Sequence, residues 1–180
     1  MTDRFSALPV ARGAWKGLAN STRTGRSPDK VALAILIVVP VLVGVTCFAL
    51  DWHLSHVDPL LAGVALLSGV LLSSFAHLAT WRSRLVEREE RFDTADAAER
   101  DSVDEAVALI LWAALVSMVA AALIVIAQNA APAGLGRPWA SLVLVTCTHV
   151  FLLFLIIVPK LYASYVRANR VPDHRSGFVA

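Results

Sequence analysis

Four stretches of the chain run for about 20 residues or more without Asp, Glu, Lys or Arg between their edge turns, and polar, charged or turn-forming residues fill the gaps. They lie at Val31 to Leu50, about Leu60 to Trp81, near Val103 to about Gln128, and about Trp139 to Tyr162. A helix rises ~1.5 Å per residue, so each can cross ~30 Å of hydrocarbon. Continuous apolarity on all sides is what a lipid-facing helix requires, because no water is there to solvate a charge. The pattern predicts an all-α protein, an integral membrane four-helix transmembrane bundle over 31–166.

Turn chemistry frames each span. Ser27-Pro28-Asp29-Lys30 opens the first, which holds Pro40 and Gly44 inside, and Asp58-Pro59 precedes the second. Asn129 and Pro132 end the third, and Gly134, Gly136 and Pro138 lead into the fourth. Pro40 with Gly44 predicts a kink, since the ring removes one backbone donor and crowds the preceding turn. The run Val86 to Arg91 is rich in helix formers, and Glu87 and Arg91 are spaced i,i+4, so the second span should continue as helix to about Phe92. Ser102-Val103-Asp104-Glu105 has the capping-box pattern and sets the expected start of the third span. The segment 82–101 is then a helical hairpin projecting ~10–15 Å. Helix is also expected beyond Pro159, to Ala168.

Composition narrows the functions. Of the 180 residues 57% are hydrophobic and 17% charged, with a mean hydropathy of +0.66. No stretch outside the spans is long enough for a soluble domain, so the chain reads as non-enzymatic. No phosphate loop, nucleophile elbow, zinc signature or nucleic-acid motif is present, and no cofactor is expected.

Charge sets the expected orientation. The arm, residues 1–30, carries Arg4, Arg12, Lys16, Arg23, Arg26 and Lys30. The 82–101 segment carries five arginines, and the C-terminal end adds Lys160, Arg167, Arg170 and Arg175. Of the 16 Lys and Arg only Arg137 falls on the other side. Positive residues are retained on the cytoplasmic side, so both termini, including the tail 167–180, are expected there, in a bacterial inner membrane. Trp52 and Trp139 should mark the outer boundary, and Trp81, Tyr162 and Tyr165 the inner one. The first span exceeds a signal core, and cleavage is not expected. The +2 net charge follows from topology and gives no reason to expect nucleic acid.

Candidate chemistry is sparse. His149, ten residues after Trp139, falls near mid-membrane; His77, four before Trp81, lies ~10 Å away in depth, in the cytoplasmic half. Each is either a structural hydrogen-bonding residue or a step on a pore or proton path. No intramembrane carboxylate accompanies them, which disfavours a coupled transporter. Asp51, His53, His56 and Asp58 read mainly as a polar turn, with metal capture as the alternative. Cys47 and Cys147 read as buried thiols, or as a disulfide between the first and fourth spans. Ala65, Gly69 and Ser73, and Ala113, Ser117 and Ala121, form small-residue ridges for packing inside the bundle or between copies in a homo-oligomer. In the arm, Phe5, Leu8, Val10, Trp15 and Leu18 alternate with Arg4, Arg12 and Lys16. Pro9, Gly13 and Gly17 count against a continuous helix there. Arg12 and Lys16, with Arg84, Arg88 and Arg91 of the hairpin, are the candidate contacts to lipid or to a cytoplasmic protein partner.

The stretch Pro28-Asp29-Lys30-Val31, with Ile37 to Gly44 and then Leu60 to Leu72, is similar to small four-pass bacterial and prophage membrane proteins of phage-defence and superinfection-exclusion gene pairs. The resemblance implies a membrane component that works with a cytoplasmic partner and excludes phage by permeabilising the membrane or blocking DNA entry. The alternative is a small channel or transporter subunit with His77 and His149 on its path, and a third is an assembly protein.

Overall fold

The computed structural model describes residues 8–17, 19–22, 25–28, 30–92, 97–131 and 133–168. Helix α1 (Leu8–Gly17) leads through two short antiparallel strands, β1 (Ala19–Thr22) and β2 (Gly25–Pro28), into α2 (Lys30–Ala49). Three long helices follow: α3 (Asp58–Phe92), α4 (Ala97–Ala130) and α5 (Arg137–Ala168). The helices α2 to α5 each contain a stretch long and apolar enough to cross a membrane.

The boundaries follow the sequence with instructive exceptions. α3 does run on to Phe92, and α5 passes Pro159 to reach Ala168. The third apolar span does begin at Val103, but the helix that carries it already begins at Ala97, so the capping-box pattern at Ser102 is not its start. Ala97, Ala98, Glu99 and Arg100 are good helix formers, and they extend the turn that Ser102 was expected to cap. The arm, too, is more regular than Pro9 and the glycines suggested. Pro9 occupies the first turn of α1, where its missing N–H costs little, and Gly17 is its last residue. Gly13 lies where an added Cβ would come 3.0 Å from the Cβ of Ala108, so its small size permits the approach to α4. The hairpin between β1 and β2 was not anticipated at all.

Order of packing departs from a closed bundle. α2 rests on α5, α5 on α4, and α4 on both α3 and α1, while α3 and α5 scarcely touch. The two middle helices therefore separate the outer two over most of their length, and the side between α2 and α3 is left open.

The seam of this open bundle is α4. Val103, Ile110, Ser117 and Ile124 occupy one heptad position, and Ala106, Ala113, Ala120 and Ala127 the next, each at most 2% exposed. That 3,4 alternation is a coiled-coil spacing, with alanine at every seventh residue. Small side chains let neighbouring backbones come close, and close packing is what holds helices together where lipid removes any hydrophobic advantage of association. α3 answers with Val64, Leu71 and Leu78, again seven apart. Trp112, well inside the third span, is half-buried against the same cluster.

Of the ridge expected on the third span, Ala113 and Ser117 are in this seam and Ala121 is half-buried beside it. The one on the second span lies outside it: Ala65, Gly69 and Ser73 are all exposed, and nothing lies within 4 Å of a Cβ built at Gly69. Packing inside the bundle is thus not the use of that ridge, because α3 turns its larger residues toward α4.

Enlarging the seam should be costly. Ala120→Leu is expected to lower stability by about 1–3 kcal/mol through overpacking. Ala122→Leu, on the exposed side of the same helix, should stay within about 0.5 kcal/mol. Denaturation by SDS from bicelles, followed by helical circular dichroism, compares the two.

Candidate functional site

The most specific polar contact inside the spans joins α2 to α5. In a helix the carbonyl of Leu36 would accept from the N–H of residue 40, but residue 40 is proline and has none. The ring nitrogen Nδ1 of His149 lies 3.1 Å from the Leu36 carbonyl oxygen and takes the missing place. A carbonyl oxygen can only accept, so this bond places a proton on Nδ1. An orphaned carbonyl in hydrocarbon costs several kcal/mol, which explains why a partner is recruited from another helix.

The rest of the α2–α5 contact is built around that bond. Leu36, Pro40 and Gly44 are buried and spaced by four, so they share one face of α2. A Cβ added at Gly44 would collide with Cγ2 of Val145 and stand 3.6 Å from the carbonyl of Ser141. Ser141, Val145 and His149 are likewise four apart on α5. Pro40 and Gly44 are therefore contact residues: one leaves a carbonyl to be capped, and the other lets the helices close on it. Ser117 is fully buried in the α4 seam and donates to the Ala113 carbonyl at 2.8 Å.

The two histidines are not brought together. His77 is exposed on α3, whereas His149 is half-buried on α5 against α2. The nearby hydroxyls of Ser74 and Thr146 donate to their own helices, to the carbonyls of Val70 at 2.9 Å and Leu142 at 2.8 Å. His149 thus makes an interhelical hydrogen bond to α2, and His77 stands on a helix that scarcely touches α5.

Both ends of the bundle are tied by charge. At the end bearing the α2–α3 and α4–α5 loops, Arg137 forms a two-pronged ion pair with Asp51. Asp51 takes a left-handed φ of 56°, and Trp52 donates back to the Cys47 carbonyl at 3.1 Å, a Schellman-type helix end that swings the carboxylate toward α5. The loops then pair as a short bridge, Leu54 to Leu135 at 3.1 and 2.9 Å, beside Gly134 at φ 124°. Gln128 donates to Asp58 at 3.1 Å. At the other end Arg82 holds Asp104 at 2.9 Å and Lys160 reaches Glu105 at 3.9 Å, linking α3, α4 and α5.

The remaining candidates are placed as follows. Asp51 and Asp58 are engaged with Arg137 and Gln128, His53 Nδ1 meets the Asp51 carbonyl at 2.8 Å, and no group of three metal-ligating side chains forms among the described residues. Cys47 and Cys147 are free, so the inter-span disulfide is not formed. Arg12 and Arg84 are exposed. Lys16, Arg88 and Arg91 lie on α1 and α3, but their side chains are outside the described residues. Sequence reasoning missed the capped carbonyl; a proline in a span names the orphan acceptor, although not its distant donor.

Two outcomes test this site. His149→Phe should destabilise the wild-type chain by about 0.6–1.7 kcal/mol, as interhelical hydrogen bonds in membranes do. In a Pro40→Ala background, which restores the N–H to Leu36, the same substitution should cost clearly less, and a double-mutant cycle reads the difference. Separately, the hydrogen bond from Arg137 holds the Asp51 carboxyl below its usual 3.8. A lowered folded value means the stabilisation is complete above 3.8 and is lost as pH falls through the folded value. The midpoint of thermal unfolding should therefore drop on acidification in wild type more than in Asp51→Asn. Set beside other proteins, the chain matches no family model, no curated protein and no solved structure.

Proposed function

We propose that this chain is a non-enzymatic multi-pass protein of the bacterial cytoplasmic membrane, with both termini in the cytoplasm, that acts with a cytoplasmic partner in prophage or bacterial defence. The observation that carries the reading is the α3–α4 hairpin. The apolar stretches end at Arg84 and begin again at Val103, yet helix continues to Phe92 and resumes at Ala97. Eight residues beyond Arg84 add about 12 Å of charged helix outside the apolar layer. A connector between two spans needs only a few residues of turn, and a stiff charged extension is a suitable handle for a protein partner.

The charge distribution supports placing that handle in the cytoplasm with the arm and the C-terminal end. The resemblance of residues 28–72 to phage-exclusion membrane proteins supports the role, with membrane permeabilisation or a block to DNA entry as the response. The channel alternative fits less well. The α4 seam is filled by side chains at most 2% exposed, and its two histidines face different surroundings.

Membrane potential, followed with a voltage-sensitive dye in bacteria expressing the chain, tests the reading. Expected is a stable potential that collapses only after phage challenge, and loss of that response in Arg88→Ala/Arg91→Ala while the protein still accumulates in the membrane. A steady leak without phage, abolished by His149→Ala, would establish the channel instead. An unchanged potential with normal phage growth would leave an assembly protein.

A further inference from the structure

α1 has ten residues, about 15 Å of helix, and cannot cross a bilayer. It is nevertheless seated on a membrane-crossing helix. Ala14 is 3% exposed in one cluster with Val103, Ala106 and Leu109, and Gly13 closes against Ala108. Glu105 is the last charged residue of α4 before its long apolar run, and Ala108 is three residues farther on. At ~1.5 Å per residue, α1 meets α4 about 4.5 Å beyond the charged boundary. Helices that lie on membranes sit about 5–10 Å into the boundary between head groups and acyl chains.

The face of α1 turned away from α4 has matching chemistry. Leu8, Arg12 and Trp15 are spaced i, i+4 and i+7, which puts them on one side of the helix, opposite Gly13 and Ala14. Leu8 is 62% exposed, Trp15 56%, and Arg12 is exposed between them. An indole prefers the head-group level, and an arginine at that level meets lipid phosphates. Trp81 on α3 and Tyr162 and Tyr165 on α5 lie toward the same end of the molecule, as an aromatic belt at one interface would.

We propose that α1 is a lipid anchor pinned to α4, with Leu8 and Trp15 among the acyl chains of its own leaflet and Arg12 on anionic head groups. The anchor is independent of the defence reading and stands or falls separately from it. Its occupant is an anionic phospholipid surface, chosen over a protein by the depth at which Gly13 meets Ala108 and by the exposed cation between two apolar side chains.

The test uses the whole chain with Cys47→Ala and Cys147→Ala, carrying Trp15→Cys labelled with the fluorophore NBD, in vesicles of phosphatidylethanolamine and phosphatidylglycerol. Leu8→Cys, labelled in the same way with Trp15 intact, is the second site, and Ser55→Cys in the exposed loop is the water reference. Both arm labels should emit to the blue of the reference and be quenched more by lipids bearing a shallow nitroxide than by those bearing a deep one. Replacing the anionic lipid with phosphatidylcholine, or Arg12 with Gln, should shift the ratio of seated to free arm about fivefold toward free. Emission and quenching equal to the Ser55 reference would overturn the anchor. Seating unaffected by anionic lipid and by Arg12→Gln would overturn the head-group assignment. A blue shift that requires added cytosolic protein would give the face to a protein partner and overturn the proposal.

Discussion

Everything in this molecule depends on how closely its helices can approach α4. In water, burial of leucine and valine would hold four such helices together; for helices long and apolar enough to cross a membrane, hydrocarbon is as apolar as they are and would remove that drive. What remains is van der Waals contact, which falls off within a fraction of an ångström, and polar groups that cannot find water. The alanines at every seventh residue of α4 supply the first. They leave α3, α5 and α1 room to settle against the backbone, and larger residues alternate with them to fill the space between.

The polar ties supply direction, which a smooth alanine seam lacks. Helices packed on small residues can slide along one another. Here sliding is resisted at three levels: by the Asp51–Arg137 pair and the Leu54–Leu135 bridge at one end, by His149 on the Leu36 carbonyl in the middle, and by Arg82–Asp104 and Lys160–Glu105 at the other end. None is strong alone, because water screens exposed ion pairs. Together they define a register. They also explain why Arg137, the one cation on its side of the charge count, is kept there: Asp51 neutralises it where it stands.

How much of this could be read from the chain depends on the range of the interaction. The spans, the helical extension to Phe92 and the persistence of α5 past Pro159 are local consequences of apolar runs and helix formers, and they were legible. The small-residue ridge was half legible. A period of four marks a face, yet it does not say what covers that face, so Ala113 and Ser117 proved to be seam while Ala65, Gly69 and Ser73 proved to be surface. The alanine period of seven was present in the sequence and is the sharper signal. The carbonyl cap and the loop ion pair join residues 113 and 86 positions apart, and nothing local announces such pairs. Proline at 40 shows only that an acceptor is wanting.

That cap has a bearing on how the protein is made. The partner of α2 is the last helix of the chain, 113 residues downstream, and α3 and α4 must both be synthesised in between. At ribosomal rates of about 5–20 residues per second, that interval is on the order of ten seconds. Until α5 is made, the Leu36 carbonyl lacks its His149 donor and the Gly44 face lacks its neighbour. The first of the long apolar helices to be made is thus the one that waits longest for its packing partner, and α5 brings both the donor and the surface that α2 lacks.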